Sequence, residues 1–219
     1  MHVKVKRYLQ MSDWSQKLEP LLEKYGKQKH PLDYNNRYQL IVMVILAAQA
    51  SDNQINKISP KLFEAYPSIS DLKNSNPEDL YPLLSSIRGY RKKAKWIVDI
   101  AKVIGDDSNI PTTIGELTKL SGVGRKTANT VIRESGDNAE GIIVDLHVLR
   151  VAPRLGIATG TNSEKIEKQL MDALPKDKWN EIGMAFSFHG REICRPKPIC
   201  DQCIVNQACN YYQTLIKTR

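Results

Sequence analysis

All the cysteines of this chain fall within sixteen residues, Cys194 to Cys209, as CRPKPICDQCIVNQAC, a C-x5-C-x2-C-x5-C spacing. Thiols crowded in this way share one job. Disulfide pairing suits an exported chain, and nothing here reads as a secretion signal. Four thiolates can close a tetrahedral zinc site, but structural zinc usually draws on two separated C-x2-4-C knuckles and only one is present. A [4Fe-4S] cluster also takes four thiolates, and its larger core suits the two wide arms. Spacing favours the cluster and leaves zinc open.

The second chemical segment is Leu120–Ile132, LSGVGRKTANTVI. It reads as a helix end, a turn at Gly122-Val123-Gly124 and a new helix from about Arg125. Two glycines one residue apart permit positive φ and leave no Cβ in the way of a ligand. Outward amides of such a turn and of the following first helical turn can bind a phosphate oxygen. Gly122, Val123, Gly124, Arg125 and Thr127 would then hold DNA without reading its sequence; the plainer alternative is a helix connector. Lys126 follows at once, either as one more charge or as a nucleophile, since an amine attacks carbon when neutral. An attacking lysine needs a carboxylate partner. The candidate is Asp145 in VDLHVLRVAPRLGI, after the apolar Ile142-Ile143-Val144. Its plainer role is to cap the helix that follows, and the two roles are compatible.

Composition bounds what these residues can serve. At 219 residues the chain can form one large or two small domains with a real core. Its 41% apolar and 26% charged content is that of an ordinary globular protein, which excludes a disordered or fibrous class. The net charge of +8 favours a polyanionic partner, nucleic acid or an anionic surface. The longest apolar run, YQLIVMVILAAQAS, falls short of the roughly 20 residues a spanning helix needs and contains Gln39 and Gln49. It predicts a buried core helix. The opening MHVKVKRYLQ lacks the apolar run of a signal peptide, which predicts an intracellular protein with reduced thiols.

The elements that must position these residues read as helices throughout. Ser12 or Asp13 opens one that carries Trp14, Leu18, Leu21, Leu22 and Tyr25 and ends at Gly26. Ser51-Asp52 caps a helix burying Ile55, Ile58, Leu62 and Tyr66, which Pro60 is expected to kink or split. Asn76-Pro77 starts another. After Arg91, the residues Ala94, Ile97, Val98, Ala101 and Ile104 recur at helical spacing, with Lys92, Lys93, Lys95 and Asp99 assigned to other faces. Thr113 and Glu116 form a capping box, and Trp179, Ile182, Met184 and Phe186 mark the helix leading into the cysteines. No stretch alternates as a strand would. The fold class is all-α.

Five blocks in order, ILAAQASD, LSGVGRKTANTVI, VDLHVLRV, HGREIC and the four cysteines, resemble the endonuclease III family of helix-hairpin-helix DNA glycosylases. The resemblance runs from about Pro31 to Cys209. It implies two helical lobes with the active-site cleft between them. One is a six-helix barrel over residues 30–138 that carries the hairpin. The other joins residues 1–29 to 139–219 and carries a [4Fe-4S] cluster on Cys194, Cys200, Cys203 and Cys209. Lys126 resembles the family's nucleophile and Asp145 its carboxylate. The resemblance thus implies a monomeric bifunctional glycosylase and abasic-site lyase, removing oxidised pyrimidines from duplex DNA by a lysine imine and β-elimination. Its location would be the cytoplasm or nucleoid, or a nucleus if the source is eukaryotic, with no membrane partner.

Gln49 resembles the residue that fills the gap left by a flipped base. The segment Arg88 to Lys95 aligns with a DNA-facing loop, which nominates Arg88, Tyr90 and Lys93 as contacts, and Lys197 lies in another such loop. His147 and His189 read as structural. Three departures from the family stand out. The first cysteine gap is one residue short, so the loop holding Arg195 and Lys197 is tighter. Gly89 stands where the family inserts a leucine between bases, leaving Arg88 or Tyr90 to act as the wedge. Ser121 and Leu146 replace a proline and a threonine. Rival readings are a glycosylase for thymine or uracil opposite guanine in the same superfamily, and a non-catalytic, redox-responsive DNA-binding protein. Lys126 and Asp145 together argue against the second, since binding needs neither. A zinc-finger regulator lacks its recognition helix.

Overall fold

A computed structural model describes residues 13–218, so Ser12 and the opening MHVKVKRYLQ lie outside the described residues. Among those described, every regular element is a helix. No helix is long and apolar enough to cross a membrane. The chain divides into two compact units, His30–Asn138 and the described parts of Met1–Lys29 with Ala139–Arg219. Each has its own apolar core.

In His30–Asn138 the apolar run forms α2 (Arg37–Leu46), started by the Asn36 side chain, which accepts from the Gln39 amide at 2.8 Å. Leu40, Ile41, Met43, Ile45 and Leu46 are all buried. A helix apolar all round belongs at the centre of a core. Ser51 caps α3 (Asp52–Ala65), and Pro60 lies inside α3 without splitting it. The amide that proline lacks would have served the Asn56 carbonyl. That carbonyl instead accepts the Ser59 hydroxyl at 3.4 Å, and the ring faces solvent. Then come α4 (Ile69–Lys73), a 3-10 turn at Pro77–Leu80 with proline in its first turn, and α5 (Tyr81–Leu84). The long α6 (Tyr90–Ile104) is followed by α7 (Ile114–Leu117), with its Thr113–Glu116 cap, and α8 (Arg125–Glu134).

The other unit opens with α1 (residues 13–21), which runs into a π turn at Leu22–Gly26. It continues with α9 (Val148–Leu155), α10 (Ser163–Ala173), α11 (Trp179–Glu192) and α12 (Asn210–Lys217). The buried segment Ile142-Ile143-Val144 lies so near α11 that a Cβ on Gly183 would meet the Ile143 carbonyl oxygen at 2.6 Å. Glycine is therefore required at that crossing, and it fixes the register from which the chain reaches Asp145.

Candidate functional site

The hairpin before α8 is built on Gly122, whose φ is +75°. A Cβ there would lie 2.5 Å from the Trp96 ring of α6, so both the backbone and the space exclude other residues. Two expectations for this turn need correction. The Val123 side chain is buried and its amide donates to the Leu120 carbonyl at 3.1 Å, so Val123 anchors the turn and does not offer its N–H outward. Gly124 is extended (φ −87°, ψ 173°), with open space where a Cβ would stand. It leaves room for a close approach and does not supply a positive φ. From there α8 starts with Arg125 and Lys126 exposed, while Ala128, Val131 and Ile132 fill the core. Lys126 therefore sits on the first turn, where helical amides have no partner within the helix.

Thr127 follows on the same turn of α8, and Gln49, Arg88, Tyr90 and Lys93 lie in two loops of the same unit and the start of α6. Gln49 is exposed just past α2 with φ 59°, the one described non-glycine residue at positive φ. Lys93 is not a surface cation: it is 5% exposed, and its Nζ donates to the carbonyls of Leu46 at 2.9 Å and Ala48 at 2.5 Å. Its nomination as a phosphate contact is corrected accordingly. The ammonium closes the carboxy-terminal end of α2 and fixes the loop bearing Gln49. Burial lowers its pKa below the ordinary lysine value. The Gln54 amide donates to the Ser86 carbonyl at 2.5 Å, tying the second loop to α3. In that loop Arg88 is exposed beside Gly89, which has φ +71°. Tyr90 is half-buried, edge-on to Tyr81 with centroids 5.4 Å apart, and the Arg91 guanidinium lies over both rings. Of the two candidate wedges, Tyr90 is held down and Arg88 is at the tip.

In the other unit Asp145 caps α9. Its Oδ1 accepts from the amides of His147 at 2.8 Å and Val148 at 2.9 Å. Its Oδ2 accepts from the Ser187 hydroxyl of α11 at 2.6 Å. Leu146, between them in sequence, is 78% exposed. Burial, with Arg191 and Arg150 nearby, lowers the pKa of His147.

The four cysteines are free and line one cavity with Arg154, His189 and Tyr211. Among the described residues no set of three or more His, Cys, Asp or Glu is drawn together so as to hold a metal ion. The surroundings nonetheless suit thiolate ligands. The Val205 amide donates to Cys203, and the Tyr211 and Tyr212 amides to Cys209. Arg154 Nη1 lies 3.6 Å from the Cys194 sulfur and also donates to the Arg195 carbonyl at 2.7 Å. Arg150, one turn earlier, holds the Cys194 carbonyl at 2.8 Å. Amide and guanidinium donors at sulfur favour the thiolate form in which cysteines hold a metal group. Burial pushes the Cys203 thiol up to about 11, so ionising it needs a cation's field. His189, 1% exposed, sits with Nε2 at 3.5 Å from the Cys203 sulfur, and burial holds its pKa down to about 4. Lys197 is exposed on the same loop.

Sequence reasoning missed Trp96, Ser187 and the arginine pair Arg150–Arg154. Ser187 had a signal, as a lone hydroxyl in the apolar MAFSFHG, and so did the arginines, four apart on one helix.

Residues 42–176 match the model of the HhH-GPD superfamily of base excision DNA repair proteins. Endonuclease III of Synechocystis sp. is 36% identical over 81% of this chain and 83% of its own length. That of Escherichia coli is 30% identical over 90% and 96%. A trapped endonuclease III–DNA covalent intermediate superposes with a TM-score of 0.83 at 31% identity, covering 94% of this chain and 98% of that one. A thermostable thymine-DNA glycosylase, at 20% identity and a TM-score of 0.75, shares the fold. The chain belongs to the endonuclease III family of HhH-GPD base excision DNA repair proteins.

Proposed function

We propose that the protein is a bifunctional DNA glycosylase and abasic-site lyase of base excision repair, acting inside the cell on oxidised pyrimidines in duplex DNA. The observation that carries this is Lys126, exposed on the first turn of α8 directly after the Gly122 hairpin, in a chain whose relatives are endonucleases III. The hairpin and the start of α8 bind a phosphate, using the helix dipole and main-chain donors. The target nucleotide is rotated out of the stack, since its glycosidic bond is unreachable within it. Gln49 occupies the gap and Arg88 the position of the wedge.

Lys126 Nζ forms a bond to the sugar C1′ while the C1′–N bond breaks; the base leaves with the electron pair and takes the proton that the newly bonded Nζ gives up. The Asp145 carboxylate offsets the positive charge that develops on the sugar. The sugar ring opens to an imine with Lys126. Loss of the C2′ proton then expels the 3′ phosphate by β-elimination, and water releases the lysine. Cys194, Cys200, Cys203 and Cys209 would hold a [4Fe-4S] cluster, which would supply a structural cross-link for the cysteine segment.

The test is a duplex with one thymine glycol, incubated with the protein and borohydride. A covalent protein–DNA band that disappears in Lys126→Ala is expected. Absence of a band from this duplex and from one with a preformed abasic site would overturn the lyase assignment.

A further inference from the structure

Asp145 is gripped through both oxygens, and the two grips differ. Capping of α9 uses Oδ1 alone, through the His147 and Val148 amides. The hold on Oδ2 comes from Ser187, from a helix that capping does not involve. Ser187 lies one turn beyond Gly183 on α11 and so on the same face. Gly183 allows α11 to lie against the main chain of Ile143, two residues before Asp145. The serine therefore arrives within hydrogen-bond reach because the glycine before it has no side chain.

Nothing in the packing asks for a hydroxyl here. Ser187 is 0% exposed, on a helix where every residue from Ile182 to Phe186 is also buried. A hydroxyl buried in such surroundings is unfavourable unless bonded. Inside a helix it commonly donates to the carbonyl one turn back, with no consequence beyond the helix. This one donates to a carboxylate at 2.6 Å, a short, charge-assisted bond.

On the reading of Asp145 as the catalytic carboxylate, we propose that Ser187 is a positioning residue for base excision. The two amides leave the carboxylate free to pivot about Oδ1. Ser187 removes that freedom, fixing the carboxylate plane and deciding which lone pairs of Oδ2 face the reacting sugar. Base release depends on this placement, because the charge on the sugar develops in that step. Cleavage of a preformed abasic site depends on it less, since the base has already gone.

The experiment compares wild type with Ser187→Ala, Ser187→Thr and Ser187→Val. Base release from a thymine glycol duplex and cleavage of a preformed abasic duplex are both followed in single turnover, with thermal melting as a check on folding. Ser187→Ala is expected to slow base release about tenfold, the scale of one hydrogen bond to a charged group, and abasic cleavage by less. Threonine and valine have nearly the same volume, so any overpacking is common to both; threonine should restore base release relative to valine. Base release within about twofold of wild type in Ser187→Ala, or equal defects in the threonine and valine variants, would overturn the inference. A wild type that cleaves abasic DNA yet releases no oxidised pyrimidine would instead overturn the reading of the site, and this inference with it.

Discussion

Replacing Lys93 by methionine separates a buried support from a DNA contact. The lysine ammonium meets the carbonyls of Leu46 and Ala48, two acceptors at the end of α2 that the helix itself leaves unserved. Immediately beyond, Gln49 holds φ 59°, a conformation that disfavours a residue with a side chain by roughly 1–2 kcal/mol. Each hydrogen bond from a charged donor contributes about 1.5–3 kcal/mol. Desolvation of an ammonium only 5% exposed, the cause of its lowered pKa, returns part of that sum. Methionine keeps the unbranched apolar stem, so packing changes little. The net loss is therefore about 2–3 kcal/mol, enough to let residues 47–50 leave the bound geometry for much of the time.

Affinity falls with the fraction of molecules whose loop is in place. For a duplex carrying a stable abasic-site analogue we expect binding about tenfold weaker, with undamaged duplex nearly unaffected. Fluorescence anisotropy over a salt series measures both. The slope of log K against log salt should not change, because no phosphate contact is removed. A loss on both duplexes with the slope reduced by about 1 would show Lys93 at a phosphate and refute the reasoning. Faster amide exchange at residues 47–50 is the independent check.

Gly122→Ala forces a side chain into positive φ and against the Trp96 ring, so the hairpin should lose about 2–4 kcal/mol, read as a lower melting midpoint and loss of DNA binding. Cys203→Ser removes one thiolate. The wild type is expected to be brown with visible absorbance from the proposed cluster, and the purified variant to lose both and melt earlier; a fully coloured variant would count against that ligand set. His147 has a folded pKa below its ordinary 6.5, chiefly through burial. The unfolded chain therefore binds the proton first, and stability is lost as pH falls from 6.5 toward the lowered value. Denaturant melts at a series of pH values should show that slope in wild type and a flatter one in His147→Gln.

Features legible from the sequence were local ones. Caps at Ser51 and Thr113, the start at Pro77 and the capping role of Asp145 before α9 each depend on residues within four positions of one another, and the buried run of α2 on a single continuous stretch. The all-helical class followed from the same periodicities. Pro60 shows where a sound local rule stops short. The hydrogen bond it removes is indeed missing, but Ser59 supplies a donor to the carbonyl left over, and α3 continues. Gly122 was recognised as a turn residue, yet its contact with Trp96 joins segments far apart in the chain and no local pattern contains it.

Lys93 is the most instructive case, because its position was readable and its charge obscured it. Residues 93, 97, 100 and 104 lie three or four apart, and all four are buried. The apolar stripe of α6 therefore includes Lys93 by geometry alone. A lysine on a buried stripe has to find acceptors near its tip, and the open carbonyls at a helix end are acceptors that need no second charge. The same reasoning applies to Ser187, on a helix buried nearly all round, where a polar side chain is retained only with a partner. In both cases the polar residue in the wrong place was the one holding a loop or carboxylate nominated for the site. Position on the helix should therefore be weighed before residue type when such a chain is read.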